Sequence, residues 1–308
     1  MKTILERLFI DSDRYKLSDY KEGEVFPIVS DVMFHTMLNN ESRKQYVSYF
    51  LSLVLEKSYE DIYNGIVFSK EQLDKENYHD SKKTVDLVCT IDGKVYNVEM
   101  NNNMDIPSLE RNISYMEKLY SSSMKRGNKV YHYNNVVQIN INNFNFEGNE
   151  NEIDKFYIMN SNKEVLTNKI QIIYIYLPLI RKKLYNKEKL TLLEKLLLVF
   201  NEKESEELNQ MMKGDKIMSA YRNDAYEASQ DSEVLGLYDK EKEQERLEYL
   251  RLEYATEKGI EQGIEQGIQR GSEQTRMEIA KNFLALDIPI EKISTATGID
   301  IETLKNLK

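Results

Sequence analysis

The stretch that most constrains this chain is "TVDLVCTIDGKVYNVEMNN", residues 84–102, where two runs of β-branched and aromatic residues flank Asp92-Gly93. Both positions of a two-residue hairpin loop want a positive φ, and Asp-Gly tolerates it, so the stretch predicts two antiparallel strands. With Asp92 and Gly93 as the loop, paired residues have numbers summing to 185: Ile91 faces Lys94, Cys89 faces Tyr96, and Asp86 faces Glu99. Directly opposed residues have Cβ atoms roughly 4.5–5.5 Å apart on one face, where like charges repel unless a cation lies near. Alternation puts Val85, Leu87, Cys89, Ile91, Tyr96, Val98 and Met100 on an apolar face, and Asp86, Thr90, Asn97, Glu99 and Asn101 on a polar one. Two readings follow. The polar face is the solvated side of an ordinary hairpin, or the two acids form a site of hard oxygen ligands for Mg²⁺ or Mn²⁺, completed by water and phosphate.

The rest of the composition narrows the chemistry. A 308-residue chain with 41% hydrophobic residues can bury a substantial core. Its longest apolar stretch, "IIYIYLPLI" at 172–180, is too short to span a bilayer, and "MKTILERLFIDSDRY" lacks the apolar core of a signal peptide, so a cytoplasmic protein without membrane association is expected. The lone Cys89 lies on the apolar side of the hairpin, which excludes an intrachain disulfide framework. His35, His79 and His132 lack ligand spacing, which argues against zinc and against a Ser-His-Asp triad. The net charge of −10 argues against a wholly basic coat, but residues 81–140 carry eight Lys and Arg against six Asp and Glu.

Along the chain, 31–57 reads as two helices broken at "NNES", followed by a short strand candidate "IYNGIVFS", the hairpin, a helix over 108–126, and strands at "NVVQININNF" and "KIQIIYIYL". That order predicts an α/β core with a mixed sheet flanked by helices, followed by an all-helical C-terminal region. The expected divisions are 1–185 for the core, 186–255 for a helical region, and 256–308 for a glycine-repeat segment with a small helical element. In "GIEQGIEQGIQRG" glycine recurs at 259, 263, 267 and 271. It is either a frayed linker, since each internal glycine costs a helix about 1 kcal/mol, or a stripe that admits a second helix closely. Beyond it, Gly298 reads as a helix stop and Asp300 as an N-cap. With only Lys305 and Lys308 after that turn, the tail reads as a packing or self-association element rather than a DNA-reading one, and a homo-oligomer through the C-terminal helices is expected.

The helix after the hairpin adds cations. Arg111, Lys118 and Lys125 recur every seven residues with Tyr115 close to the same stripe. Lysines and arginines that hold a phosphate backbone beside carboxylates that hold a metal make up the logic of phosphodiester cleavage. "DLVCTIDGKVYNVEMN", together with "SDVMFHTML", "RNISY", "VVQINI" and the glycine-repeat tail, resembles the PD-(D/E)XK nuclease family transposases, also called Rpn or recombination-promoting nucleases, from about residue 25 to the end. The resemblance implies a restriction-endonuclease-like core and Mg²⁺-dependent DNA endonuclease activity, with DNA as partner, in bacteria and mobile elements. It assigns Asp86 to the first metal-binding acid, Glu99 to the acid of the (D/E)-x-K element, and Asn101 to that element's third position, commonly Lys in the wider superfamily and Gln in many of these proteins. Asparagine brings no positive charge to a developing anion, although its amide can position water or phosphate, so slow or conditional cleavage is expected. Asp31 reads either as a helix N-cap or as an additional acid. Two other functions stay open: a nuclease-fold module that binds DNA or protein without cutting, and a helix-mediated assembly protein.

Overall fold

The computed structural model describes residues 24–69, 86–102, 106–122 and 134–307. The chain divides into a first compact unit ending at Glu241 and a second running from Lys242. In the first, helices α1 (Asp31–Met37), α2 (Lys44–Leu55) and α3 (Tyr59–Gly65) precede strands β1 (Val67–Phe68), β2 (Leu87–Ile91) and β3 (Lys94–Asn101). Helix α4 (Ile106–Ser121) leads to β4 (Asn135–Asn142), β5 (Ile153–Met159) and β6 (Val165–Tyr176). Helices α5 (Leu177–Tyr185), α6 (Leu192–Asn201), α7 (Glu206–Met212), α8 (Lys216–Gln230) and α9 (Ser232–Ala285) follow. The break at "NNES" and the switch to helices near 185 are as the sequence predicts.

The hairpin has the expected register. Ile91 pairs with Lys94 and Cys89 with Tyr96, and Asp92 and Gly93 both take positive φ, 50° and 72°. The sheet has the order β1-β2-β3-β4-β6-β5; β3–β4 and β4–β6 are parallel and the other pairs antiparallel. Two elements differ from expectation. The first half of "IYNGIVFS" is the end of α3, because Ser58 caps the helix by accepting from Asp61 N, and only Val67–Phe68 is strand. Strand β5 lies between the two predicted strands "NVVQININNF" and "KIQIIYIYL", where the sequence predicts no strand. It is a half-exposed edge strand whose interleaved Asp154 and Lys155 hide its periodicity.

One sheet face carries Leu87, Cys89, Tyr96, Val98, Met100, Ile139, Ile141, Ile173 and Ile175 into the main core with α1, α2, α6 and α8. Phe200 and Tyr221, from helices beyond residue 185, are wholly buried in that same core. Cys89 is fully buried, and burial pushes its thiol up to about 12. On the other face Val88 and Val136 pack against Met116 and Leu119 of α4, while Phe144, Phe146, Tyr174 and Tyr176 form a separate aromatic cluster. The second unit has a small core of Ala280, Ile293 and Leu304 from α9, α10 (Ile290–Thr297) and α11 (Ile301–Asn306). Gly298 ends α10 at φ 72°, and Asp300 caps α11 by accepting from Thr303 N at 2.8 Å. The glycine repeat is helical throughout, within α9. Among the described residues, no helix is long and apolar enough to cross a membrane.

Candidate active site

On the β3 arm the polar face of the hairpin is buried rather than solvated. Asn97, Glu99 and Asn101 of β3 are 0%, 2% and 4% exposed. They lie beneath α4, whose Asn112, Tyr115, Met116 and Leu119 recur at helical spacing and are all buried. Asp86, immediately before β2, has its Oδ2 accepting from Met100 N at 2.8 Å, and its carbonyl accepts from Asn39 Nδ2 at 2.7 Å. Its own backbone N–H donates to the Glu99 carboxylate. The chain thus holds both acids at one end of the hairpin by backbone and side-chain donors.

The electrostatics of the pair are unfavourable to two charges. Burial, opposed by the Met100 hydrogen bond and raised further by Asp31, pushes Asp86 up to about 7. Burial and then the Asp86 charge push Glu99 well above the ordinary carboxylate range. Arg111 of α4 pulls both acids down, and its guanidinium carbon stands 5.9 Å from the Tyr115 ring centre. A buried carboxyl beside a half-buried one, partly offset by one cation, is a site that a divalent ion would relieve. Among the described residues no group of three or more His, Cys, Asp or Glu side chains is placed to hold a metal. The donor set is therefore two carboxylates, a number that fits a hard cation keeping much of its own water shell.

The other sequence-derived residues divide. Asp31 is exposed in the first turn of α1, and its charge reaches Asp86, but it is not the N-cap. Ser30 fills that place, and Glu241 of α9 closes the helix end by accepting from Ser30 Oγ at 2.7 Å, Asp31 N at 2.9 Å and Val32 N at 3.3 Å. Arg111 is exposed and Lys118 half-buried along one side of α4. Tyr115 is 2% exposed, so it belongs beneath the helix, where Glu99 and Asp86 act on its phenol, rather than on an open stripe. Lys125 lies outside the described residues.

Asn101 is held at both ends of its amide: Oδ1 accepts from Asn112 Nδ2 and Nδ2 donates to Asn142 Oδ1, both at 3.0 Å. It belongs to a buried ladder of amides that sequence reading missed, comprising Asn97, Gln138, Asn140, Asn112, Asn101 and Asn142. The parallel register sets Asn97 beside Gln138, Glu99 beside Asn140 and Asn101 beside Asn142. The signal was an amide at every second residue of "VVQININ", matching the period of "NVEMN".

A mixed six-stranded sheet flanked by helices, with two acids on a central hairpin and a helix of cations above them, is the restriction-endonuclease-like arrangement. A model of the PD-(D/E)XK nuclease family transposases matches residues 28–255. The chain belongs to that family. Its match runs from just before α1 into α9 and covers Asp86, Glu99 and Arg111 alike. For this PD-(D/E)XK chain, searches of the curated proteins and of the solved structures return no match. Membership of a PD-(D/E)XK nuclease family supports a nuclease-type function.

Proposed function

We propose that the chain is a DNA endonuclease that hydrolyses phosphodiester bonds with Mg²⁺ or Mn²⁺ held by Asp86 and Glu99. The observation that carries this reading is the pairing of the buried Glu99 with the half-buried Asp86 at one end of the hairpin, joined through Asp86 N and Met100 N and only partly offset by Arg111. A divalent ion there supplies Lewis-acid polarisation of a phosphate oxygen. The chain's own residues do the rest. Arg111 meets the anionic phosphate beside the acids, and Lys118 and Lys125 extend the contact along the strand. Tyr115 fixes the floor beneath Arg111, and Asp31 adds negative charge at the rim. Asn101 stands at the third position of the motif with its amide committed to Asn112 and Asn142, so it acts through α4 rather than on phosphate.

That commitment also favours a second reading, a nuclease-fold module that binds DNA or protein without cutting, since no cation occupies the third position. Plasmid nicking with and without Mg²⁺ or Mn²⁺, beside Glu99→Ala, separates the two. Metal-dependent nicking that is lost in the variant supports the enzyme. A folded protein that shifts DNA on a gel but leaves it intact with either ion sinks the enzyme reading in favour of the module. We propose further that the chain self-associates through the C-terminal helices, where Ile260, Ile264 and Ile268 are 59%, 59% and 69% exposed.

A further inference from the structure

Glu99 is a carboxylate in a place with almost no water, and it needs donors to be ionised there. Among the described residues, the one side-chain hydrogen bond it accepts comes from its neighbour on the same strand face: Asn97 Nδ2 donates to Glu99 Oε1 at 2.9 Å. The second hydrogen of that Nδ2 goes to Gln138 Oε1 at 2.8 Å. Both donors of Asn97 are thereby used, and the amide has one orientation, since a flip would turn its oxygen onto a carboxylate and a carbonyl oxygen at once. Gln138 is fixed in turn by donating from Nε2 to Asn140 Oδ1 at 3.1 Å. Asn140 Oδ1 also accepts from Asn112 Nδ2 at 3.0 Å, and the same Asn112 nitrogen donates to Asn101 Oδ1. Each amide's orientation therefore follows from its neighbour's, starting at the Glu99 carboxylate: Asn97 donates to both sides, and Asn140 Oδ1 accepts from Gln138 and Asn112 alike. The ladder reaches α4, the helix that carries Arg111, at the adjacent Asn112.

We infer that Asn97 is the positioning residue for Glu99: it fixes Oε1 and leaves the remainder of the carboxylate to face Asp86 and a metal. The inference rests on the metal-dependent reading above. Asn97 acts on a ligand oxygen without touching metal or substrate, as the outer-shell partners of metal ligands do. The ladder transmits this constraint across β4 to α4, so the acid and the cation are held in one register by buried amides rather than by an ion pair.

The test is Mn²⁺ binding by calorimetry on the full chain, with plasmid-nicking kinetics beside it. Asn97→Leu keeps the branched shape, though not the volume, and deletes the donor; Asn97→Ser is a smaller second variant should leucine fail to fold. Asn201→Leu removes a buried amide in α6 whose Nδ2 donates to Leu197 O, and serves as the control for lost packing. Expected are an approximately tenfold weaker Mn²⁺ affinity and a lower kcat in the Asn97 variants, with KM for DNA within about twofold of the parent and Mn²⁺ affinity unchanged in Asn201→Leu. Parental Mn²⁺ affinity in folded Asn97→Ser, or an equal loss in Asn201→Leu, overturns the assignment while leaving the metal reading intact. Absence of Mn²⁺ binding in the parent overturns the metal reading and the positioning role together.

Discussion

At the scale of the residue, the fold tolerates a charge arrangement that works against its own stability. Burial raises both acids, with Asp31 adding to Asp86 and the Asp86 charge adding to Glu99, so ionising them costs the metal-free protein free energy that uncharged isosteres avoid. A carboxyl whose folded pKa lies above its unfolded value contributes stability that is fully present below the unfolded pKa, near 3.8 for Asp86, and lost as pH rises through about 7. Glu99→Gln is thus expected to be more stable than the parent at pH 8 without metal, by about 1–2 kcal/mol, and to lose that advantage at pH 4. Thermal unfolding at both pH values measures it; a variant less stable at pH 8 would show that the carboxylate is held by more donors than Asn97 and Asp86 N. Protons compete with metal for the same oxygens, so Mg²⁺ should raise the parent's Tm more at pH 8 than at pH 6, and should leave Glu99→Gln unmoved.

At the scale of the element, two helices set the surroundings of the acids. Helix α4 presents Arg111 above them, and replacing a phosphate-contacting cation lowers DNA affinity across sequences and the salt dependence of binding together. Arg111→Gln is expected to flatten the slope of log K against log salt by about 1, and an unchanged slope would remove Arg111 from the DNA interface. Helix α1 is closed by Glu241, which accepts from Ser30 Oγ and two backbone N–H groups. Losing such a cap costs about 0.5–2 kcal/mol, so Glu241→Ala should lower the urea midpoint without changing the slope. These elements also show what was legible in the sequence. The hairpin could be read to its register, because Asp92-Gly93 and strict alternation leave one solution. The environment of its polar face could not, because the amides that close over Glu99 and Asn97 come from β4 and α4, more than ten residues away along the chain. Asp31 reads as a cap because it opens a helix, but the closing acid is Glu241, which sequence order places 210 residues later. Strand β5 was invisible because an edge strand has one side to bury and its Asp154 and Lys155 sit among its apolar residues.

At the scale of the whole molecule, the C-terminal region raises a question of assembly. Four glycines inside α9 cost that helix about 1 kcal/mol each relative to alanine, and a Cβ added at any of them would meet nothing within 4 Å. The chain alone therefore gains no packing from these glycines. A repeat of four residues lays glycine along one i±4 row and isoleucine along the next, a groove beside a ridge. In the proposed self-association the ridge of Ile260, Ile264 and Ile268 of one copy would lie in the glycine groove of the other, at the crossing of about −50° that such rows prefer. A contact of this kind is self-complementary about a two-fold axis, so it closes as a dimer. The ridge is short, and the centre of it should matter most. Ile264→Glu is expected to halve the mass seen by light scattering, while Ile279→Glu, on the same helix beyond the repeat, leaves it unchanged. A truncation ending near Thr256 should behave as Ile264→Glu does. If all three chains scatter as the parent does, the glycines answer to something other than a second copy, and self-association, if present, belongs to the nuclease core.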